Sequence, residues 1–363
     1  MLAKRVGQGE GKGMLVRRYR GRRGLVAVAV LAAGVLAAPV AEAAAPVVSA
    51  GTMKDLGTLS GGTSSTGRSV NEQGQVTGAG DTADGNNHAF LWSASDGMQD
   101  LGTLGGATSS GEAVNEQGQV VGDSNTADGS LHAFQWSAAE GMRDLGTLGG
   151  QFSEAFGVNS QGQVTGDSTT GGNRTERAFL WSAAEGIRDL GILSGGTTSF
   201  GRAVNEQGQV VGYGDTADGN NHAFLWSESG GMRDLGTLSG GKFSLGLAIN
   251  ERGQVAGYGD TADGDVHAFL WSAAEGMRDL GTLGGGTTSL GQGLNEQGQV
   301  TGFATTADWN NHAFLWSASG GMRDLGTLAS GTTSLGQAIN EQGQVAGYGD
   351  TADGTTHAFL WTP

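Results

Sequence analysis

The chain has 363 residues, no cysteine, 70 glycines, three prolines and a formal net charge of −16. Without cysteine there is no disulfide, no thiol nucleophile and no lipid attached through an N-terminal cysteine, so stability has to come from a packed core. The acidic balance repels nucleic-acid phosphates and anionic headgroups, which excludes both as partners, and glycine dispersed among apolar residues reads as many tight turns, not as collagen or a Pro-rich linker.

The basic residues are concentrated at the start. Residues 1–43 hold eight of the 20 Lys and Arg and two of the 36 acids, leaving a net of −22 on the rest. After the basic run to Arg23 comes the uncharged segment 24–40, GLVAVAVLAAGVLAAPV, and then Ala41-Glu42-Ala43, the small-x-small pattern of a cleavage site. This predicts a secretory signal peptide over 1–43, followed by a short linker, 44–52. The apolar run is short and Ala-rich for a transmembrane anchor, so no membrane attachment is expected after cleavage. Met14 is an alternative start to Met1, and Arg22-Arg23 leaves general and twin-arginine export both open.

From residue 53 the sequence is one tandem repeat. Asp-Leu-Gly recurs with Asp at 55, 100, 144, 189, 234, 279 and 324, and a Trp closes each unit at 92, 136, 181, 226, 271, 316 and 361. Between them stands Asn-x-x-Gly-Gln-Val, from Asn71, Asn115, Asn159, Asn205, Asn250, Asn295 and Asn340. One unit reads as four strands. Gly201–Asn205 is short and is followed by the turn Asn205-Glu-Gln-Gly208; Gln209–Tyr213 is the second strand. After the polar loop 215–221 comes His222–Trp226, and beyond a Gly-Gly turn Met232–Leu238 is the fourth. Asn opens such a turn by bonding its own backbone, and Gly fills the left-handed position. His-Ala-Phe-Leu-Trp is apolar on both faces, which suits a sheet stacked between two others.

Radial stacking of four-stranded sheets of about 45 residues is a propeller. The repeat begins with a lone fourth strand, Met53–Leu59, and ends after a third, His357–Trp361. The expected fold is therefore all-β: a seven-bladed propeller of four-stranded antiparallel blades over 53–363, closed by the N-terminal strand joining the last blade. An open solenoid would need polar capping repeats.

The units resemble the HAF repeat of extracellular bacterial proteins, on His-Ala-Phe at 88–90, 132–134, 222–224, 267–269, 312–314 and 357–359, with Arg177-Ala-Phe179 departing in unit three. The resemblance spans 53–361. It implies a secreted or cell-surface location and supplies no catalytic residues.

Candidate chemistry is thin. Six histidines at one per unit cannot converge on one metal and suit a repeated structural bond. The loop Asp-Thr-Ala-Asp-Gly offers Asp81 and Asp84, Asp215 and Asp218, Asp260 and Asp263, and Asp350 and Asp353 as a calcium alternative. Their spacing lacks the alternating acids and terminal bidentate acid of a calcium loop, so hairpin turns explain them equally and no cofactor is expected. The seven Asp of Asp-Leu-Gly suit bonds to neighbouring turns, because equivalent positions lie on different blades and cannot form an acid–base pair. The Gly-Gly segments precede no helix and are not phosphate loops.

Near-identical units offer one surface seven times, which favours a multivalent, non-catalytic, monomeric module for an extracellular glycan or protein. A polysaccharide hydrolase or lyase and a purely structural module are the alternatives. Unique ligand contacts are expected where the repeat breaks: Phe152, Arg174 and Arg177 in unit three, and Trp309 in unit six.

Overall fold

A computed structural model describes residues 51–172 and 175–363, which belong to one compact unit, Val47–Pro363. The signal-peptide segment 1–43, all of the linker except Gly51 and Thr52, and Arg174 lie outside the described residues. Within them the fold is all-β, with 28 strands and no helix.

Unit four shows the pattern. Ser199–Val204, Val210–Asp215, Asn221–Ser227 and Gly231–Asp234 pair antiparallel in chain order. Between the first two, Gly208 has φ of 69° and its amide donates to the Asn205 carbonyl at 3.0 Å, the turn that the Asn-x-x-Gly spacing predicts. The fourth strand is shorter than expected: it ends at Asp234 instead of Leu238. The Asp234 carboxylate accepts the Gly236 amide at 2.7 Å, and Gly236, with φ of 74°, turns the chain off the sheet. The Leu235 amide still donates to the Ala223 carbonyl at 2.9 Å, the last bond to the third strand, and the Leu235 and Leu238 side chains pack into the core.

That core lies between units, as strands apolar on both faces require. Val210, Phe224 and Trp226 pack against Ala178, Leu190 and Leu193 on the unit-three side. Val211 and Ala223, one residue out of phase, pack against Val255, Phe269 and Trp271 of unit five. All seven Phe of the Ala-Phe motif are fully buried. At about 25 cal/mol per Å² of apolar area, these repeated layers are the principal stabilisation of a chain without disulfides.

The strands make five four-stranded sheets and one of eight. The larger sheet arises where the first strands of units two and three lengthen to Gly105–Val114 and Gly149–Val158, and Phe152 pairs parallel with Leu131. In the last sheet Thr52–Asp55 pairs with Thr356–Thr362, Met53 opposite Trp361 and Asp55 opposite Phe359. Unit four has the same register, Met232 opposite Trp226 and Asp234 opposite Phe224.

Two belts of hydrogen bonds join the units. Each buried Asn of the turn motif donates from Nδ2 to the carbonyl of the next unit's Asn: Asn71 to Asn115 at 3.0 Å, Asn205 to Asn250 at 3.2 Å, and Asn340 to Asn71 at 3.0 Å. Each alanine of the Ala-Phe motif donates its amide to a serine of the following unit, Ala223 to Ser244 and Ala358 to Ser65, both at 2.9 Å. These groups are buried, so leaving any one unpaired is costly.

Candidate functional site

The repeated chemistry is a histidine–aspartate pair. Pairing of the third and fourth strands brings the His that opens the third beside the Asp that ends the fourth. Nδ1 of His88, His132, His222, His267 and His312 lies 2.8–2.9 Å from Asp100, Asp144, Asp234, Asp279 and Asp324. His357 makes the same bond, at 2.8 Å, to Asp55 at the other end of the chain. Each aspartate also caps the glycine turn after it, so one carboxylate fixes both a turn and an imidazole. The His312 imidazole is held above its ordinary pKa, chiefly by the bond to Asp324. Burial acts to raise the Asp324 carboxyl, yet the bonds from His312 and the Gly326 amide outweigh it and keep it low.

In unit four the pair lines a cleft of about 410 Å³ together with Ser194, Thr216, Asp218 and Met232. At the other end of the strands, each fourth-strand cation covers the next unit's Trp: Arg188 lies 5.5 Å from the Trp226 ring, and Arg278 lies 5.1 Å from Trp316. That stack borders a smaller cavity of about 220 Å³ with Gln254, Ser272 and Glu275.

The expected ligand contacts fall in different places. Trp309 is 66% exposed, the one large apolar side chain so exposed among the described residues. Its φ is 64°, and it stands where the other loops have glycine, such as Gly219 at 82°. Arg177 takes the missing histidine's place: its Nε lies 3.9 Å from Asp189, and its Nη1 donates to the Thr197 carbonyl of the next unit. Phe152 is half-buried beside the parallel bridge, its carbonyl accepting from Ser168 at 2.9 Å. The three do not form one site.

The first aspartate of each loop bonds the segment before the unit's first strand, and in units one, four and seven the second bonds its own loop. Asp81 accepts from the Thr63 amide at 2.9 Å and also from Ser64, Asp215 accepts from Thr197 and Thr198, Asp260 from Lys242 and Phe243, and Asp350 from Thr332 and Thr333. Asp84, Asp218 and Asp353 accept from the threonine two residues before them, which with further bonds holds the Asp218 and Asp353 carboxyls down at about 2. The two acids of a loop thus face different turns. Asp263 lies in the equivalent loop of unit five. Among the described residues no three acids or histidines are placed to hold a metal ion.

Sequence reasoning missed a further set of positions. The first strands of successive units lie against one another, and their middle residues do not repeat. Opposite pairs on the first and second strands run Thr66–Ala79, Ser110–Asp123, Glu154–Asp167, Phe200–Tyr213, Leu245–Tyr258, Leu290–Phe303 and Leu335–Tyr348. Units one to three place small, polar and acidic groups here, and units four to seven place aromatic and aliphatic ones. Phe200 stacks on Tyr213 with centroids 5.0 Å apart. The Arg202 guanidinium lies 3.9 Å from the Phe156 ring and donates to the Tyr213 hydroxyl at 2.8 Å. Aligning the fourth residue of each second strand is the signal that would have exposed this.

No family model and no curated protein matches the sequence. Solved structures do. The BP39L lectin of Burkholderia pseudomallei is similar over 82% of this chain and 96% of its own, at 11% identity and a TM-score of 0.51. A puromycin hydrolase matches 82% of this chain at 12% identity and a TM-score of 0.52. A puromycin-hydrolysing peptidase of Mycobacterium tuberculosis does so at 14% and 0.55. The match spans about half the length of the two hydrolases, 51% and 50%. At such identities the likeness is one of fold, and the fold is propeller-type, built of repeated all-β blades. Among the described residues no helix is long and apolar enough to cross a membrane.

Proposed function

We propose that this is a secreted, monomeric, non-catalytic protein of the HAF-repeat kind, a closed seven-bladed propeller that binds an extracellular glycan through repeated sites on one rim. The reading rests above all on the recurrence of one His–Asp pair at the same place in six units. A catalytic centre needs unlike groups converging at one point, whereas repeated weak sites gain by effective concentration. Closure is supported by the bonds that return from the seventh unit to the first: Asn340 to Asn71, Ala358 to Ser65, and the pairing of Thr52–Asp55 with Thr356–Thr362. Secretion rests on the basic, apolar and small-residue order of residues 1–43.

A glycan array and a broad hydrolase screen on the purified protein test the function. Expected is glycan capture that strengthens steeply with surface density and weakens when His222 and His267 are both changed to Ala. Turnover of a polysaccharide, abolished by one substitution, would instead establish the hydrolase or lyase reading. Capture of a protein and of no glycan would move the ligand class.

A further inference from the structure

At the end of the strands away from the His–Asp pairs, the repeat breaks toward positive charge at one interface. The third residue of the turn motif is Gln73, Gln117, Gln161, Gln207, Gln297 and Gln342 in six units, but Arg252 in unit five. Arg252 lines the cavity of about 220 Å³ together with Arg278, from the fourth strand of unit five, and with Trp316 and Ala318 of unit six. Two guanidiniums therefore border one space.

The interface of units three and four shows what such an arginine takes. There Arg188 lies over Trp226 and holds the Glu228 carboxylate with both arms of its fork, Nη1 at 2.6 Å and Nη2 at 3.1 Å. Glu228 follows Trp226 by two residues, and the residue in that place after Trp316 is Ala318. Arg278 lies over Trp316 in the same way, at 5.1 Å, but among the described residues its guanidinium has no hydrogen bond and no carboxylate partner. Between the two interfaces one carboxylate is lost, Glu228 giving way to Ala318, and one cation is gained, Gln161 giving way to Arg252. Arg252 is only weakly neutralised. Its acidic neighbour Glu296 is 4.0 Å away with both side chains partly exposed, where an ion pair is worth little, and Glu296 already accepts the Glu251 amide at 2.6 Å. Glu275, also on the lining, pairs with neither arginine among the described residues.

We propose that the cavity between units five and six binds one oxyanion, a carboxylate or a sulfate, carried on a hydroxylated ligand such as an acidic sugar, with Arg252 and Arg278 as its cations. The planar fork of a guanidinium matches such an oxyanion, as Arg188 and Glu228 do within the chain. Neutral donors stand beside it for hydroxyl groups. The Gln254 Oε1 accepts the Asn250 Nδ2 at 2.9 Å, which leaves its Nε2 to donate, and the Ser272 Oγ accepts the Glu275 amide at 3.2 Å, which leaves its hydroxyl hydrogen. The charge of the whole molecule selects further. An extended polyanion would lie across an acidic surface and be repelled, whereas a single anionic group meets only the local excess of cations. The site occurs once and lies away from the His–Asp pairs, so it goes beyond the proposed rim binding and does not rest on it: it predicts a stoichiometry of one, and the rim predicts several.

Calorimetry on the whole protein tests it with galacturonate, galactose 6-sulfate and galactose. Expected is one-to-one binding of a charged sugar, with galactose about tenfold weaker or undetected. Arg252→Gln, which restores the residue of the other units, should weaken binding about tenfold. Ala318→Glu, which copies Glu228, should abolish it by setting a carboxylate of the chain on Arg278. Each variant carries a residue that the repeat already holds at that position, so both should fold, and an unchanged melting temperature checks this. Binding of galacturonate alone points to a uronate, and binding of galactose 6-sulfate alone points to a sulfate ester. No binding of either at millimolar concentration, equal binding of galactose, a stoichiometry of several per chain, or affinity unchanged in both variants overturns the proposal.

Discussion

At the scale of single residues, the asparagine of each turn motif is worth more than a turn. Asn250 is 3% exposed. Its Oδ1 accepts the Arg252 and Gln254 amides at 3.1 and 3.0 Å, and its Nδ2 donates to Gln254 and to the Asn295 carbonyl at 2.9 and 3.2 Å. Asn250→Ala strands several buried partners at once, so it should destabilise by roughly 2–4 kcal/mol, read as a lowered urea midpoint. Asp in its place sets a second oxygen against the Gln254 and Asn295 oxygens and buries a charge, so it should destabilise at least as much as Ala. Trp309 works in the opposite sense. A tryptophan at φ of 64° holds a conformation that glycine enters freely, at a cost of about 1 kcal/mol or more. Trp309→Gly should therefore raise the melting temperature while lowering retention on the proposed glycan ligand. A variant less stable than the parent would show that the ring packs usefully on its loop.

At the scale of the element, the histidine and the aspartate were each visible in the sequence, but not as partners. They lie 12 residues apart on different strands, and only the register of those strands, set by Phe opposite Asp, brings them together. The strand order, the Asn-Gly turn and the two-sided apolar third strand were legible, because alternation and turn chemistry act locally. The length of the fourth strand was not, since Leu238 looks like a strand residue until Gly236 turns the chain off the sheet. The inner pairs were missed for another reason: a near-exact repeat draws attention to what recurs, and Asp123, Asp167 and Tyr213 occupy one position that does not. The His312–Asp324 bond gives the element a pH window. His312 has a raised pKa, so its contribution is complete below about 6.5 and is lost as pH rises through the folded value; Asp324 has a lowered one, so its contribution is present above about 3.8 and is lost as pH falls through the folded value. Asp324→Asn should lower stability most near pH 5, by under about 1 kcal/mol because the pair is partly exposed, and less above pH 8. Urea titrations at the two pH values measure the difference.

At the scale of the whole molecule, a ring and a row make opposite demands on the number of units. In a row each unit meets only its neighbours, stability is nearly a sum over units, and removing one shortens the array with little other effect. In a ring the angle between neighbours is tuned to the total, and the first and last units must meet. Here that meeting is specific: the Thr52–Asp55 strand covers the edge of the last sheet, Asp55 completes the His357 pair, and Asn340 reaches Asn71. Excision of residues 235–279 removes one 45-residue unit and leaves the repeat in phase, Asp234 running into Leu280. Every local contact of the remaining units can then form except those of closure, which would have to span a ring short of one sheet. The proposed ring predicts a loss of stability well beyond one unit's share, with exposed sheet edges driving self-association. Size-exclusion chromatography and calorimetry read both effects. A monomer that melts within a few degrees of the parent would fit the row, and with it the contacts between the chain's two ends would be incidental to its stability.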